Sequence, residues 1–211
     1  RRWANAIRIN GIDSELVSPS DIKEIEPLIN LESRFPVLGG FIQRRAGISR
    51  HDAVAWGYAR AADANGVDII QQCEATALNI ENGKVTGVET DRGRISAHKV
   101  CFAVAGHTTV LAGMAGFRVP ITSMALQAMV SEPIKPCLAT MLSSNVIHMY
   151  ASQSDRGEIV LGGGADAYIS YAQRGGIPVV EENVAALLEL VPAFSSLRLN
   201  RQWAGITDIT P

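Results

Sequence analysis

Apolar positions recur at two spacings along this chain, and the switches between them outline its architecture. Val54, Ala55, Tyr58, Ala61 and Ala62 repeat at helical intervals, which predicts a helix over about residues 52–65. Gly66 supplies a left-handed cap at its end, and Ser49 or Asp52 can cap its start. A second stripe, Val184, Leu187, Leu188 and Val191, predicts a helix over residues 181–191. Ser18-Pro19-Ser20-Asp21 opens a short helix that Pro27 stops, whereas residues 1–12 fit either a strand or a helix end.

Between these helices the pattern is that of strands. Gly39 to Ile42 form a short apolar segment, and Val67-Asp68-Ile69-Ile70 reads as a buried strand. Residues 75–80 and 85–90 flank Asn82-Gly83, a strong hairpin turn. Asp91-Arg92-Gly93 turns into a further short strand from Ile95. Residues 100–105 are uninterruptedly apolar, as in a strand buried on both faces, and Ala105-Gly106-His107 closes that run. Strand-like segments follow at 120–132, 146–152, 158–163 and 201–209, with Asp155-Arg156-Gly157 as a hairpin turn. Helix, strand, three-stranded excursion and return strand predict part of a dinucleotide-binding α/β domain. The β-rich remainder predicts a mixed sheet domain, with the crossing near Val119-Pro120.

Composition narrows the partners. The 211 residues, 47% hydrophobic, suffice for one large core or two modest ones. Nineteen Lys and Arg against 21 Asp and Glu leave a net charge of -2, which disfavours nucleic acid or an anionic membrane as the main partner. Cys73, Cys101 and Cys137 lie far apart and form no disulfide or metal framework, so a reducing cytoplasm is the expected setting. Cys73 and Cys101 are expected to be small buried apolar residues. His107, two threonines and glycines interrupt the apolar stretch 100–117, making it a poor membrane span. The start at Arg1-Arg2-Trp3 and the stop at Pro211 read as those of an internal piece of a longer polypeptide. Gly162-Gly163-Gly164 has no following Lys-Ser/Thr and is not read as a phosphate loop.

The candidate chemistry gathers in Arg45-Ala46-Gly47-Ile48-Ser49-Arg50-His51-Asp52. A histidine and two arginines there precede or open a helix, whose first amides and partial positive charge suit an anion such as phosphate. Position alone leaves a plainer alternative, in which His51 only helps to cap a surface helix.

A longer comparison bears on that choice. The run Gly39-Gly40-Phe41-Ile42-Gln43-Arg44-Arg45-Ala46-Gly47-Ile48-Ser49-Arg50-His51-Asp52 is followed by Ala55-Trp56 and Gly66-Val67-Asp68-Ile69-Ile70-Gln71. Later come Ala105-Gly106-His107, Met114-Ala115-Gly116-Phe117, Leu126-Gln127-Ala128-Met129, Ser152-Gln153-Ser154-Asp155, Tyr171-Ala172-Gln173-Arg174-Gly175 and Trp203-Ala204-Gly205-Ile206. In this order, and through nearly the whole chain, they resemble the β subunit of heterotetrameric sarcosine oxidases, within the glycine/D-amino-acid oxidase-like flavoproteins.

The resemblance implies a mixed α/β fold, with part of an FAD-binding Rossmann-like domain beside a mixed-sheet substrate domain of the D-amino-acid oxidase type. On that scheme residues 1–44 belong to the substrate domain and its connection and residues 45–117 to the FAD-binding domain. Residues 118–200 return to the substrate domain, and 201–211 lead back toward the FAD domain. It further implies flavin-dependent oxidative demethylation of sarcosine to glycine, with formaldehyde or methylene-tetrahydrofolate and hydrogen peroxide as further products. FAD is expected to be noncovalent and FMN covalent, with NAD and tetrahydrofolate on the other subunits of a heterotetramer.

By the same resemblance His51 is the FMN attachment point, a role that needs an unprotonated imidazole nitrogen. Arg50, His148 and Arg201 fall at FMN-contacting positions, and Ala75, Ala105 and Gly106 at FAD-contacting ones. No catalytic base is identified and no metal is expected. Departures from the family pattern keep other functions open. Arg44 stands where proline is usual, and Met124-Ala125 where His-Pro is usual. The glycine-rich N-terminal fingerprint and the C-terminal lysine segment lie outside the sequence, so the segment alone is expected neither to hold FAD firmly nor to turn over. The alternatives are a flavin oxidase or dehydrogenase for another secondary or N-methyl amino acid, and a noncatalytic flavin- or folate-binding subunit.

Overall fold

A computed structural model describes residues 2–211 and divides them into two compact units. The first comprises residues up to Ala46 together with Ser123–Asp208, the second Gly47–Thr122 together with Ile209–Pro211.

The first unit begins with helix α1 (Arg2–Ile9), strand β1 (Glu15–Val17), helix α2 (Pro19–Ile25) and strand β2 (Gly40–Ile42). The start of the chain, open to either reading in sequence, is therefore helical. Ser18 caps α2 reciprocally: Asp21 N–H donates to Ser18 Oγ at 3.2 Å, and Ser18 N–H donates to Asp21 Oδ2 at 2.8 Å. Strands β1 and β2 pair antiparallel, with Leu16 opposite Phe41, and Trp3 meets Phe41 edge-on at 6.2 Å.

The second unit holds helix α3 (His51–Ala64), strands β3 (Ala75–Glu81), β4 (Lys84–Thr90) and β5 (Gly93–Ser96), and helix α4 (Thr108–Met114). The three strands form an antiparallel sheet in sequence order. Asn82 and Gly83 both take positive φ, 52° and 76°, as the primed hairpin turn requires. Gly66, at φ 84°, follows α3 as expected.

Two strand expectations fail here. Residues 67–70 and 100–105 form no strand, and Val67 and Ile70 are 51% and 53% exposed. A strand exists through a neighbour's amides and carbonyls, and no described strand pairs with either run. The apolar stripe of α3 is likewise uncovered, with no buried residue along the helix. Cys101, expected inside, is exposed for the same lack of a covering layer.

The remainder of the first unit is built on strands β6 (Thr122–Pro133), β7 (Leu142–Ser144), β8 (Met149–Gln153) and β9 (Glu158–Ile169), helix α5 (Ile177–Leu190) and strand β10 (Leu199–Ile209). The five strands lie in the order β10-β6-β9-β8-β7, and β6-β9, β9-β8 and β8-β7 pair antiparallel. The strand expected from residue 146 starts at Met149, because residues 145–148 make the turn between β7 and β8. Helix α5 begins one turn before its apolar stripe, where Pro178 is accommodated in the first turn. Residues 162–164 lie within β9, as the absence of a phosphate-loop signature led one to expect.

Helix α5 covers one face of this sheet. Met129, Met149, Ala151, Ile159 and Leu161 from the strands pack with Leu187, Leu190, Val191 and Phe194, and Ile29 joins from the segment after α2. Each large side chain so enclosed contributes about 1.5–3 kcal/mol. Gly164 permits the close approach, since a Cβ there would lie 2.7 Å from Val179 Cγ1. Buried Glu26 anchors the approach to β7, accepting from Thr140 N–H at 2.5 Å and Thr140 Oγ at 2.7 Å. Among the described residues no helix is long and apolar enough to cross a membrane.

Met129 is fully enclosed in this core. Met129→Ala in the full-length protein is expected to cost about 2–5 kcal/mol. Chemical denaturation checks this as a lower midpoint at an unchanged denaturant slope.

Candidate functional site

The helix start that carries His51 differs from its expected form. Arg50 is the residue preceding the first turn of α3, and it provides no side-chain capping bond. Neither Ser49 nor Asp52 occupies that position, since the helix begins at His51 itself. Asp52 lies in the first turn, where the Ala53 amide chiefly holds its carboxyl below the usual carboxylate range, with Arg50 and His51 adding to the effect. Arg50 reaches Asp52 at 3.7 Å, and both it and His51 are exposed.

The second arginine expected at this helix start is engaged elsewhere. Arg45 pairs with Asp13 at 2.6 Å in the first unit, and neighbouring Arg44 pairs with Glu15 at 2.7 Å. Arg45 is thereby committed to an ion pair within the first unit, and Arg50 is the arginine that immediately precedes α3. Arg44, which stands where proline is usual in the resembled family, ties β1 to the chain after β2.

The FAD-assigned positions are also in the second unit. Ala75 is the first residue of β3, exposed and paired with Thr90. Ala105 and Gly106 open a single 3-10 turn, with Gly106 buried. Ala105 takes φ 43°, a left-handed conformation that alanine adopts only under constraint, and its carbonyl accepts from Thr108 Oγ at 2.6 Å.

His148 and Arg201 belong to the first unit. His148 ends the β7–β8 turn at φ 47° and is exposed, so it is neither a strand residue nor a core histidine. Arg201 lies on β10, exposed like Trp203. Arg50, His51, Ala75, Ala105 and Gly106 thus fall in one unit, and His148 and Arg201 in the other.

The pleat of β6 assigns its residues to two faces. Ser123, Ala125, Gln127, Met129 and Ser131 are buried, while Met124, Ala128 and Val130 are half-buried and Leu126 is 40% exposed. Ala128, Gly162 and Tyr150 are register partners, so Tyr150 shares the more open face, and burial raises its hydroxyl above the usual range. Irregular register between Met124, Leu126 and Ala128 twists β6 at this end. The open face is thus apolar, with Arg201 and Trp203 beside it on β10.

The inner face contains a polar cluster that sequence reasoning missed. Gln127 Nε2 donates to Asp166 Oδ1 at 2.7 Å, and Gln127 Oε1 accepts from Gln202 Nε2 at 2.9 Å and from Gly176 N–H at 3.1 Å. The available signal was a glutamine of the same strand parity as Ala125 and Met129. Among the described residues no group of three His, Cys, Asp or Glu side chains could hold a metal ion.

Comparison with known proteins now identifies the family. The family model described as FAD dependent oxidoreductase matches residues 1–211. The chain belongs to that family. Sarcosine oxidase subunit beta of Rhodobacter capsulatus is 48% identical over 211 residues, covering 100% of this chain and 51% of that protein. Sarcosine oxidase subunit beta of an Arthrobacter species is 49% identical, covering 99% of this chain and 52% of that protein. The chain spans about half the length of these curated relatives. Among solved structures, L-proline dehydrogenase from P. horikoshii superposes with a TM-score of 0.85 at 25% identity, over 95% of this chain and 54% of that one. The family's mixed α/β fold is therefore the fold of this chain, and the likeness to sarcosine oxidase β subunits extends over all of it.

The Arg44 pair yields a titration test. Its hydrogen bond and charge hold Glu15 below the ordinary 4.5. A depressed carboxylate favours folding above its ordinary value, and that contribution disappears as pH falls through the folded-state value. Arg44→Ala should therefore move Glu15 up toward 4.5, as followed by carboxyl NMR titration. An unmoved Glu15 would contradict the pairing.

Proposed function

We propose that this chain is part of a flavin-dependent amine oxidoreductase that demethylates sarcosine oxidatively within a multi-subunit complex. The products are glycine, hydrogen peroxide, and formaldehyde or methylene-tetrahydrofolate, with NAD and folate sites on partner subunits of a heterotetramer. The observation that carries the reading is the more open face of the five-stranded sheet, apolar at Met124, Leu126, Ala128 and Val130, with Arg201, Trp203 and Tyr150 beside it. An apolar surface with a few placed polar groups suits a small amine held against a flat ring system. Similarity to sarcosine oxidase β subunits supplies the substrate class.

The residues present fit the two flavins of this reading. His51 is exposed at a helix start without a capping side chain, beside Arg50, which suits a phosphorylated group and leaves the imidazole accessible. His51 would carry FMN covalently, and Arg50, His148 and Arg201 would form its polar surroundings. Ala75, Ala105 and Gly106 would meet noncovalent FAD, and the left-handed backbone at Ala105 suits close main-chain approach to a ligand. When bound, FAD would supply the oxidising ring for the amine, and FMN the ring that reacts with dioxygen. This chain's own part is to neutralise phosphate charge at Arg50, to shield the substrate from water along β6, and to fix ring orientation through His51.

On this reading residues 45–117 serve the FAD-binding domain, 1–44 and 118–200 the substrate domain, and 201–211 lead back toward the FAD domain. The three free cysteines are what supports a cytoplasmic setting on this reading.

Met124 favours a second reading, a preference for another N-methyl or cyclic secondary amino acid. Its side chain lies on the open face, where relatives of the resembled family carry histidine, and it exchanges a hydrogen-bonding group for an apolar one. Turnover of sarcosine, dimethylglycine and proline by the full-length complex separates the two. Sarcosine preference supports the first, and a higher kcat/KM for either competitor supports the second.

Acid precipitation of the full-length complex tests the attachment. Flavin fluorescence should remain with this subunit in the wild type and vanish in His51→Ala. Acid-stable flavin persisting on the His51→Ala subunit would remove His51 from the proposal.

A further inference from the structure

We infer that Gln127 and Gln202 are positioning residues, which set the placement of Arg201 on the open sheet face by a buried amide knot on the opposite face. The inference rests on the reading of Arg201 as a flavin contact. Four parts of the first unit converge on one fully enclosed amide: β6 supplies Gln127, β9 supplies Asp166, β10 supplies Gln202, and Gly176 precedes α5. Gln202 Nε2 also approaches the Gly176 carbonyl at 3.4 Å. The Gln127 amide thus has its oxygen doubly engaged and its nitrogen donating, leaving no cheap alternative arrangement in a dry interior.

Glycine at position 175 completes the knot. It takes φ 73°, and a Cβ there would lie 2.5 Å from both Gln127 Oε1 and Gln202 Nε2. The loop before α5 is therefore pressed directly against the two amides. It is tied to β10 a second time, since Ala204 N–H donates to the Gln173 carbonyl at 2.8 Å.

Strand alternation transmits this constraint. With Gln202 held inward and Ala204 buried, Arg201 and Trp203 must point to the other face. A slip of one residue would turn Arg201 into the core, so the knot forbids it. A hydrophobic side chain at 202 could fill comparable space, but it would bond to nothing that specifies register. The polar choice therefore points to placement of the neighbouring residues as its function.

A double-mutant cycle in the full-length protein with its partner subunits tests this. Sulfite is the probe, because it adds to oxidised flavin and binds more tightly when a cation lies beside the ring. Arg201→Met should weaken sulfite binding about tenfold, and Gln202→Met about fivefold. The double variant should be no more than about twofold weaker than Arg201→Met, because Gln202 acts through Arg201. Thermal midpoints, by contrast, should fall by the same amount for Gln202→Met in both backgrounds. If Gln202→Met does not fold, Gln202→Asn, polar but too short to reach Gln127, replaces it in the same cycle. Multiplying effects on sulfite, about fiftyfold in the double variant, would overturn the inference and leave Gln202 with a structural role only. A weakened Arg201→Met beside an unchanged Gln202 variant would also overturn it while keeping Arg201 at the flavin. An unchanged Arg201→Met would overturn that flavin contact, and the positioning role with it.

Discussion

The alternation of side chains along β6 governs what the first unit can do. Because successive residues face opposite ways, the strand presents Ser123, Ala125, Gln127, Met129 and Ser131 to its buried side, and Met124, Leu126, Ala128 and Val130 to the other. The enclosed set is the more polar of the two. Its closure therefore depends on paired hydrogen bonds as well as on area: Ser131 Oγ accepts from Ile159 N–H at 2.9 Å, and the Gln127 amide accepts two hydrogen bonds and donates one. The more apolar set remains accessible. A sheet that spends polar residues on its inner face and keeps apolar ones outside is arranged for a ligand or a covering surface rather than for water.

The second unit follows a different logic. Its antiparallel strands β3, β4 and β5 are stabilised locally by tight turns, so they form from nearby sequence alone. Its other apolar segments require distant neighbours. Residues 67–70 and most of residues 100–105 and of the α3 stripe are exposed, and the curated relatives are about twice as long as the chain. The same physics that makes residues 100–105 look like a two-sided buried strand makes them irregular where no strand lies alongside.

That contrast explains which features could be read from sequence. The hairpin at Asn82-Gly83, the capping residues of α2, the end of α3 at Gly66 and the core stripe of α5 are short-range signals, and all appear in the structure. The proposed site residues rest on family resemblance, because an exposed histidine at a helix start has several ordinary uses. Arg45 misled since its partner, Asp13, lies far away in sequence. His148 misled because its apolar neighbours look like a strand while its own backbone makes the turn. The Gln127 knot was invisible for a related reason: nothing local says which parity of β6 faces inward, and its partners come from β9, β10 and the loop before α5.

The account's central proposal is that the imidazole opening α3 is the attachment point of a phosphorylated flavin. Mass spectrometry of proteolytic peptides from the intact holoprotein addresses it most directly. The account predicts that the peptide containing His51 carries the added mass of FMN, with fragmentation placing it on the histidine ring. An unmodified His51 peptide alongside flavin attached to a different peptide would contradict it.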